Sequence, residues 1–238
     1  MYPEEEPLTE ITDKEPRALD TRLVTFTHPR SPVAEAYRAL RTSIQFSSLD
    51  KPLETLLVTS TGAKEGKSTT AANLAITFAQ AGSQVILVDA DLRRPSQHRL
   101  FGLPNEKGLT TMLLEEQGES PLQYTAIPGL RLLPSGPLPP NPADVLGFRR
   151  MDEAIARLKK EADLLIFDTP PIIAVTDAAV LSVKVDGVLL VFSAGQTRRD
   201  HARRAQALLE KVNARILGVV LNNAQLDRAA YSYYAQAD

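Results

Sequence analysis

The chain has 238 residues, 43% of them hydrophobic and 24% charged, with a formal net charge of −2. That length allows one large α/β domain, and the composition is ordinary for a globular chain. The charge balance leaves no electrostatic footprint for nucleic acid, the lack of cysteine excludes disulfides and thiolate metal sites, and no stretch reaches the ~18 apolar residues needed to span a bilayer.

Residues 1–22 read as a flexible acidic segment. Within residues 1–20, Glu4, Glu5, Glu6, Glu10, Asp13, Glu15 and Asp20 face only Lys14 and Arg17, so little of it can be buried. After the proline-bracketed Thr27-His28-Pro29-Arg30-Ser31-Pro32, the pattern predicts an amphipathic helix over 33–47. Tyr37, Leu40 and Ile44 form its apolar stripe, and Glu35, Arg38 and Arg41 recur at spacing three. Charges in that arrangement ordinarily make a solvated, salt-bridged face. A strand is expected over 55–59, a helix over 67–81, a strand over 84–89, a short helix near 95–101, a helix near 108–116 and a strand over 130–134. Such alternation argues for parallel β-α-β units. Pro134 to Pro142 contains five prolines and reads as a rigid loop long enough to wall a site. A helix over 143–161, strand 163–168, helix 176–182, strand 186–192, helix 198–212 and strand 215–221 complete the core, and residues 23–222 read as one domain. From 223 onward there is no hydrophobic period, and this expected flexible tail carries Tyr231, Tyr233 and Tyr234.

Chemistry concentrates at three strand ends. Leu56-Leu57-Val58 leads through Gly62, Ala63, Lys64, Glu65, Gly66, Lys67, Ser68 and Thr69 into a helical pattern, the strand, loop, helix context of a phosphate-binding loop. Backbone N–H groups wrap the phosphates there, Lys67 reaches the β/γ oxygens, and Ser68 offers a hydroxyl to Mg²⁺. Thr61 replaces the first glycine of the G-x-x-x-x-G-K-S/T pattern. Val85-Ile86-Leu87-Val88 ends in Asp89 and Asp91, and Leu164-Leu165-Ile166-Phe167 ends in Asp168. In a buried parallel sheet such runs are strands, and ligands collect at their carboxyl ends. An aspartate capping the following turn is the simpler alternative for each.

In this order, Glu35-Ala36-Tyr37-Arg38-Ala39-Leu40-Arg41, Gly66-Lys67-Ser68, Asp89-Ala90-Asp91-Leu92-Arg93, Pro139-Pro140-Asn141-Pro142, Phe167-Asp168-Thr169-Pro170-Pro171 and the tyrosine tail resemble the bacterial tyrosine kinases of capsular and exopolysaccharide biosynthesis, the BY-kinases. The resemblance covers about residues 23–238. It implies a P-loop NTPase fold, with a mostly parallel central sheet flanked by helices on both faces, and ATP-dependent phosphorylation of protein tyrosine. It implies a ring homo-oligomer, an octamer, assembled through Glu35, Arg38 and Arg41, with the tail of one subunit entering its neighbour's site. It further implies a cytoplasmic protein held at the inner face of the membrane by a separate transmembrane activator that also regulates polysaccharide chain length. The tail is sparse for that family, with three tyrosines and no intervening glycine.

On this basis Lys67, Asp89, Asp91 and Asp168 are the candidate catalytic residues. Ser68, Asp91 and Asp168 are candidates for Mg²⁺, and Asp89 for the incoming phenol. A carboxylate of pKa ~4 is a weak base toward a phenol of pKa ~10, so orientation is expected to outweigh proton affinity. Arg93 is expected either near the phosphates or in a salt bridge to a loop acid. Asn222 corresponds to the position that contacts adenine in related ATPases, an ordinary turn asparagine being the alternative. The rival function is an assembly-switch ATPase of partition or division-site type, which has no use for clustered phenols. Those ATPases carry a second lysine five residues before Lys67, where this chain has Gly62.

Overall fold

The computed structural model describes residues 19–47, 52–114 and 120–225. Seven strands form one sheet, β1 (Thr55–Ser60), β2 (Val85–Asp89), β3 (Gln123–Tyr124), β4 (Leu130–Leu133), β5 (Leu164–Asp168), β6 (Gly187–Ser193) and β7 (Ile216–Asn222), in the order β3-β4-β2-β5-β1-β6-β7. All neighbours run parallel except β3, a two-residue antiparallel edge that the sequence pattern did not reveal. Every residue of β1, β2 and β5 is buried, as their unbroken apolar runs require.

Successive residues of these strands serve opposite faces. Leu56, Val58, Val85, Leu87, Leu164 and Ile166 join one core, and Leu57, Ile86, Val88, Leu165 and Phe167 join the other. The first face is covered by α2 (Pro32–Phe46), α3 (Lys67–Gln80) and α4 (Gln97–Leu100); α5 (Leu109–Leu114), α6 (Pro142–Gly147), α7 (Arg149–Leu158), α8 (Asp177–Ser182) and α9 (Arg199–Lys211) supply the second. Each fully buried Leu, Ile or Phe contributes about 1.5–3 kcal/mol of transfer free energy. α3 is buried from Thr70 to Ala79, which makes it the central helix of its layer.

A short helix, α1 (Val24–Thr27), precedes α2 and was not expected. It is held by Asn73 of α3, whose Oδ1 accepts from the Thr25 amide and hydroxyl. The single helix expected over 143–161 is two. Phe148 adopts φ −59° and ψ 150° between α6 and α7, and this break lets Val145 and Leu146 reach the core together with the Met151, Ala154, Ile155 and Leu158 stripe of α7. The proline-rich loop is pinned by α5, where Leu109 N donates to Pro134 O and Thr110 N to Ser135 O. Among the described residues no helix is long and apolar enough to cross a membrane. The tyrosine cluster and most of the acidic N-terminal segment lie outside the described residues.

Candidate active site

The carboxyl ends of β1, β2 and β5 lie side by side, because the chain leaves β1 for β2 and later returns to place β5 between them. That crossover creates the crevice at which α/β sheets bind ligands. The loop between β1 and α3 ends at Gly66, with φ +93°, where an added Cβ would come 1.9 Å from Asn222 Nδ2. Only glycine meets both conditions. Asn222 is the last residue of β7, and its Nδ2 donates to Glu65 O at 3.0 Å. Ala63 and Lys64 are exposed, Gly62 is half-buried, and Lys64 takes φ +64°.

Lys67, Ser68 and Thr69 form the first turn of α3, whose N–H groups have no helical partners. Lys67 Nζ donates to Asp91 Oδ2 at 2.8 Å, to Ser68 Oγ at 3.0 Å and to Asp168 Oδ1 at 3.3 Å. Burial opposes the charge of Lys67, but Asp168, Asp91 and Asp89 outweigh it and hold its pKa above that of ordinary lysine. Asp91 also caps its own turn, accepting from Arg94 N at 3.0 Å.

Asp89 and Asp168 sit opposite each other in the β2–β5 register, both without solvent exposure. Asp89 Oδ2 accepts from Ser96 N and Gln97 N, each at 2.9 Å, while Oδ1 is buried without a hydrogen-bond partner. Burial first, then repulsion from Asp168, pushes the Asp89 carboxyl up to about 7, against the opposing amides of Gln97 and Ser96 and the charge of Lys67. Asp89 is thus a considerably stronger base than an ordinary carboxylate. Gln97, fully buried, donates from Nε2 to Asp168 Oδ2 at 2.8 Å and to Ser68 O at 3.0 Å.

The structure thus brings Lys67, Ser68, Asp89, Asp91 and Asp168 together, and Asn222 meets the loop from the side. Of the two alternatives for Arg93 the structure shows the salt bridge, to a helix acid and not a loop one: its Nε and Nη2 each lie 2.9 Å from the carboxylate of buried Asp177 at the start of α8. Among the described residues no three His, Asp or Glu side chains form a closed metal cage. A Mg²⁺ carried in on a nucleotide needs few protein ligands, and the Ser68 hydroxyl with the Asp91 and Asp168 carboxylates, all gathered round Lys67 Nζ, supplies the oxygen donors such an ion takes. Glu35 pairs with Arg38 at 2.6 Å on the surface of α2, and Arg38 also donates to Pro29 O. Arg41 instead turns inward and donates to Thr77 O of α3 at 2.9 Å. The roles of Gln97 and Asp177 left no signal in the sequence, because their partners lie 71 and 84 residues away.

Fold and site together define a P-loop nucleotide-binding protein. A family profile described as ParA, NUBPL iron-transfer P-loop NTPase, matches residues 53–231. The chain is 41% identical over 222 residues to the tyrosine-protein kinase YwqD of Bacillus subtilis, covering 92% of this chain and 94% of the relative. Among solved structures, the chimerical protein CapA2B2 superposes with a TM-score of 0.83 at 36% identity, over 87% of this chain and 92% of that one. The kinase domain of the Escherichia coli tyrosine kinase ETK gives a TM-score of 0.83 at 32% identity, over 89% and 84% of the two chains. The chain belongs to this P-loop NTPase family and, with these relatives, to the bacterial tyrosine kinases of the capsule and exopolysaccharide type. It is an enzyme, a protein-tyrosine kinase.

Proposed function

We propose that the chain uses ATP to phosphorylate its own tyrosine cluster, Tyr231, Tyr233 and Tyr234, in trans within a ring homo-oligomer, and so regulates capsular or exopolysaccharide synthesis or export. The observation that carries this proposal is the pairing of a cationic Lys67 held on Asp91 and Asp168 with an Asp89 poised near neutrality. Lys67 leaves its two carboxylates for the β/γ-phosphates, which frees Asp91 Oδ2 and Asp168 Oδ1 in the same movement. The amides from Gly62 to Thr69 cradle the phosphates, and Asn222 faces the base. Mg²⁺, held by Ser68, Asp91 and Asp168, would neutralise charge on the phosphate oxygens.

The acceptor phenol sits at Asp89. Its oxygen forms the new bond to the γ-phosphorus, the bond from that phosphorus to the β,γ-bridging oxygen breaks, ADP leaves, and the phenolic proton passes to Asp89. With its carboxyl at about 7, Asp89 serves as an acceptor of that proton as well as an orienting group. Glu35 and Arg38 contribute to the contact between subunits. A ring of eight subunits, and a separate transmembrane activator and chain-length regulator that holds the kinase at the inner face of the membrane, follow from the family resemblance.

The test is intact-mass measurement and phosphosite mapping after incubation with Mg-ATP. ADP release without added phosphate would overturn the autokinase. Mixing a Tyr231→Phe, Tyr233→Phe, Tyr234→Phe enzyme with Lys67→Met protein bearing the native tail tests the trans step. Phosphate must then appear on the Lys67→Met chain.

A further inference from the structure

Glu65 belongs to the phosphate loop, and its carboxylate accepts four hydrogen bonds. It is 6% exposed. Oε2 accepts from Thr61 N at 2.8 Å and from Gly62 N at 2.9 Å, and Oε1 accepts from the Thr61 hydroxyl at 2.6 Å and the Thr197 hydroxyl at 2.5 Å. Its backbone carbonyl takes the amide of Asn222. Thr197 follows β6 and accepts from Ser193 N at 2.8 Å. Asn223 reaches Ser193 Oγ at 3.1 Å.

Two features of the sequence gain a cause here. Thr61 stands where the common phosphate loop has glycine, and both its amide and its hydroxyl are spent on Glu65. A carboxylate in a loop that must receive phosphates is electrostatically unfavourable unless its charge is engaged. Charge-assisted hydrogen bonds to backbone N–H are among the stronger ones a protein makes, and two of them close the loop upon itself.

We propose that Glu65 is a positioning residue for nucleotide binding: its carboxylate braces the start of the phosphate loop at Thr61 and Gly62 and ties the loop through Thr197 to the ends of β6 and β7. The brace sets the spacing between the loop amides and Asn222, so it governs affinity for the nucleotide and not the chemical step. This inference rests on the assignment of ATP to the phosphate loop.

The experiment compares wild type, Glu65→Gln, Glu65→Ala, Thr197→Val and Glu65→Ala with Thr197→Val. It measures Mg-ADP affinity by calorimetry, KM for ATP and kcat for autophosphorylation, and thermal melting with and without Mg-ADP. Glu65→Ala leaves two N–H groups and two hydroxyls without their acceptor, and weakens Mg-ADP binding by about a hundredfold. Glu65→Gln keeps an oxygen for the two amides and loses only about three- to tenfold. Thr197→Val raises KM by about threefold with kcat within twofold; it lowers the nucleotide-free melting temperature, because Ser193 N loses its acceptor, and shrinks the shift caused by Mg-ADP. Since the two residues act as one brace, the double variant is no weaker than Glu65→Ala.

Unchanged affinity in Glu65→Gln and Thr197→Val overturns the proposal, as does an additive double variant. A fall in kcat at constant KM overturns it equally, because it would place Glu65 in the chemistry. A wild type that binds Mg-ADP but adds no phosphate to itself defeats the autokinase and leaves the brace standing.

Discussion

Replacing Asp89 with Asn separates what this residue costs the fold from what it does in the site. Unfolded, the carboxyl titrates at its ordinary value of 3.8; folded, it is pushed up to about 7. The folded chain therefore holds a proton that the unfolded chain releases between those values. Stability from this group is fully present below 3.8, falls by about 1.4 kcal/mol per pH unit as pH rises, and is gone above 7. The whole shift corresponds to roughly 4 kcal/mol. Asparagine keeps one oxygen to accept from Ser96 N and Gln97 N, puts an amide in place of the orphaned Oδ1, and has nothing to ionise. In urea denaturation of nucleotide-free protein, Asp89→Asn is expected to be more stable than wild type at pH 8 by about 2–4 kcal/mol, the gap narrowing steadily toward pH 4.5. The same variant loses phosphotransfer more than Mg-ATP affinity. A stability difference independent of pH, or one that shrinks as pH rises, would refute the burial and repulsion assigned to Asp89.

Lys67→Met abolishes turnover and autophosphorylation; it also leaves Asp91 and Asp168 without their shared cation, so nucleotide-free stability at pH 8 falls by about 3 kcal/mol, read by urea denaturation. Asp168→Asn damages Mg²⁺-dependent nucleotide binding itself, measured by calorimetry with and without the ion; equal losses in Asp89→Asn and Asp168→Asn mean their roles do not separate. Arg93→Ala strands the buried Asp177 and costs about 1–3 kcal/mol, and Arg93→Lys does not restore it because the bidentate geometry needs a guanidinium; full recovery with Lys would argue for simple charge. Arg38→Ala yields smaller particles by light scattering with an unchanged melting temperature, whereas Arg41→Ala lowers the melting temperature through its lost bond to Thr77 O; identical particle masses for wild type and Arg38→Ala would make the Glu35–Arg38 pair a plain surface bridge.

The sequence by itself determined the order of the six parallel strands and of the longer helices between them, though not α1 or β3, because a buried parallel sheet demands unbroken apolar runs such as Val85 to Val88 and each crossover needs a helix. It also determined the chemical character of the site, since Lys67, Ser68, Asp89, Asp91 and Asp168 all stand within a residue or two of a strand end or on the first turn of α3, and strand ends converge wherever the sheet is parallel. It could not determine where the helix over 143–161 breaks, because the turn at Phe148 satisfies two core contacts that only packing brings into being. Nor could it separate Arg38 from Arg41, which share a spacing but end on opposite terms, one on the surface and one on the backbone of α3. The tertiary structure alone decided that Asp89 lies opposite Asp168, both fully buried, which pushes the Asp89 carboxyl up to about 7. It alone decided that Glu65, 132 residues from Thr197, shares a hydrogen bond with it, since partners so far apart in the chain meet only through the order of the strands between them.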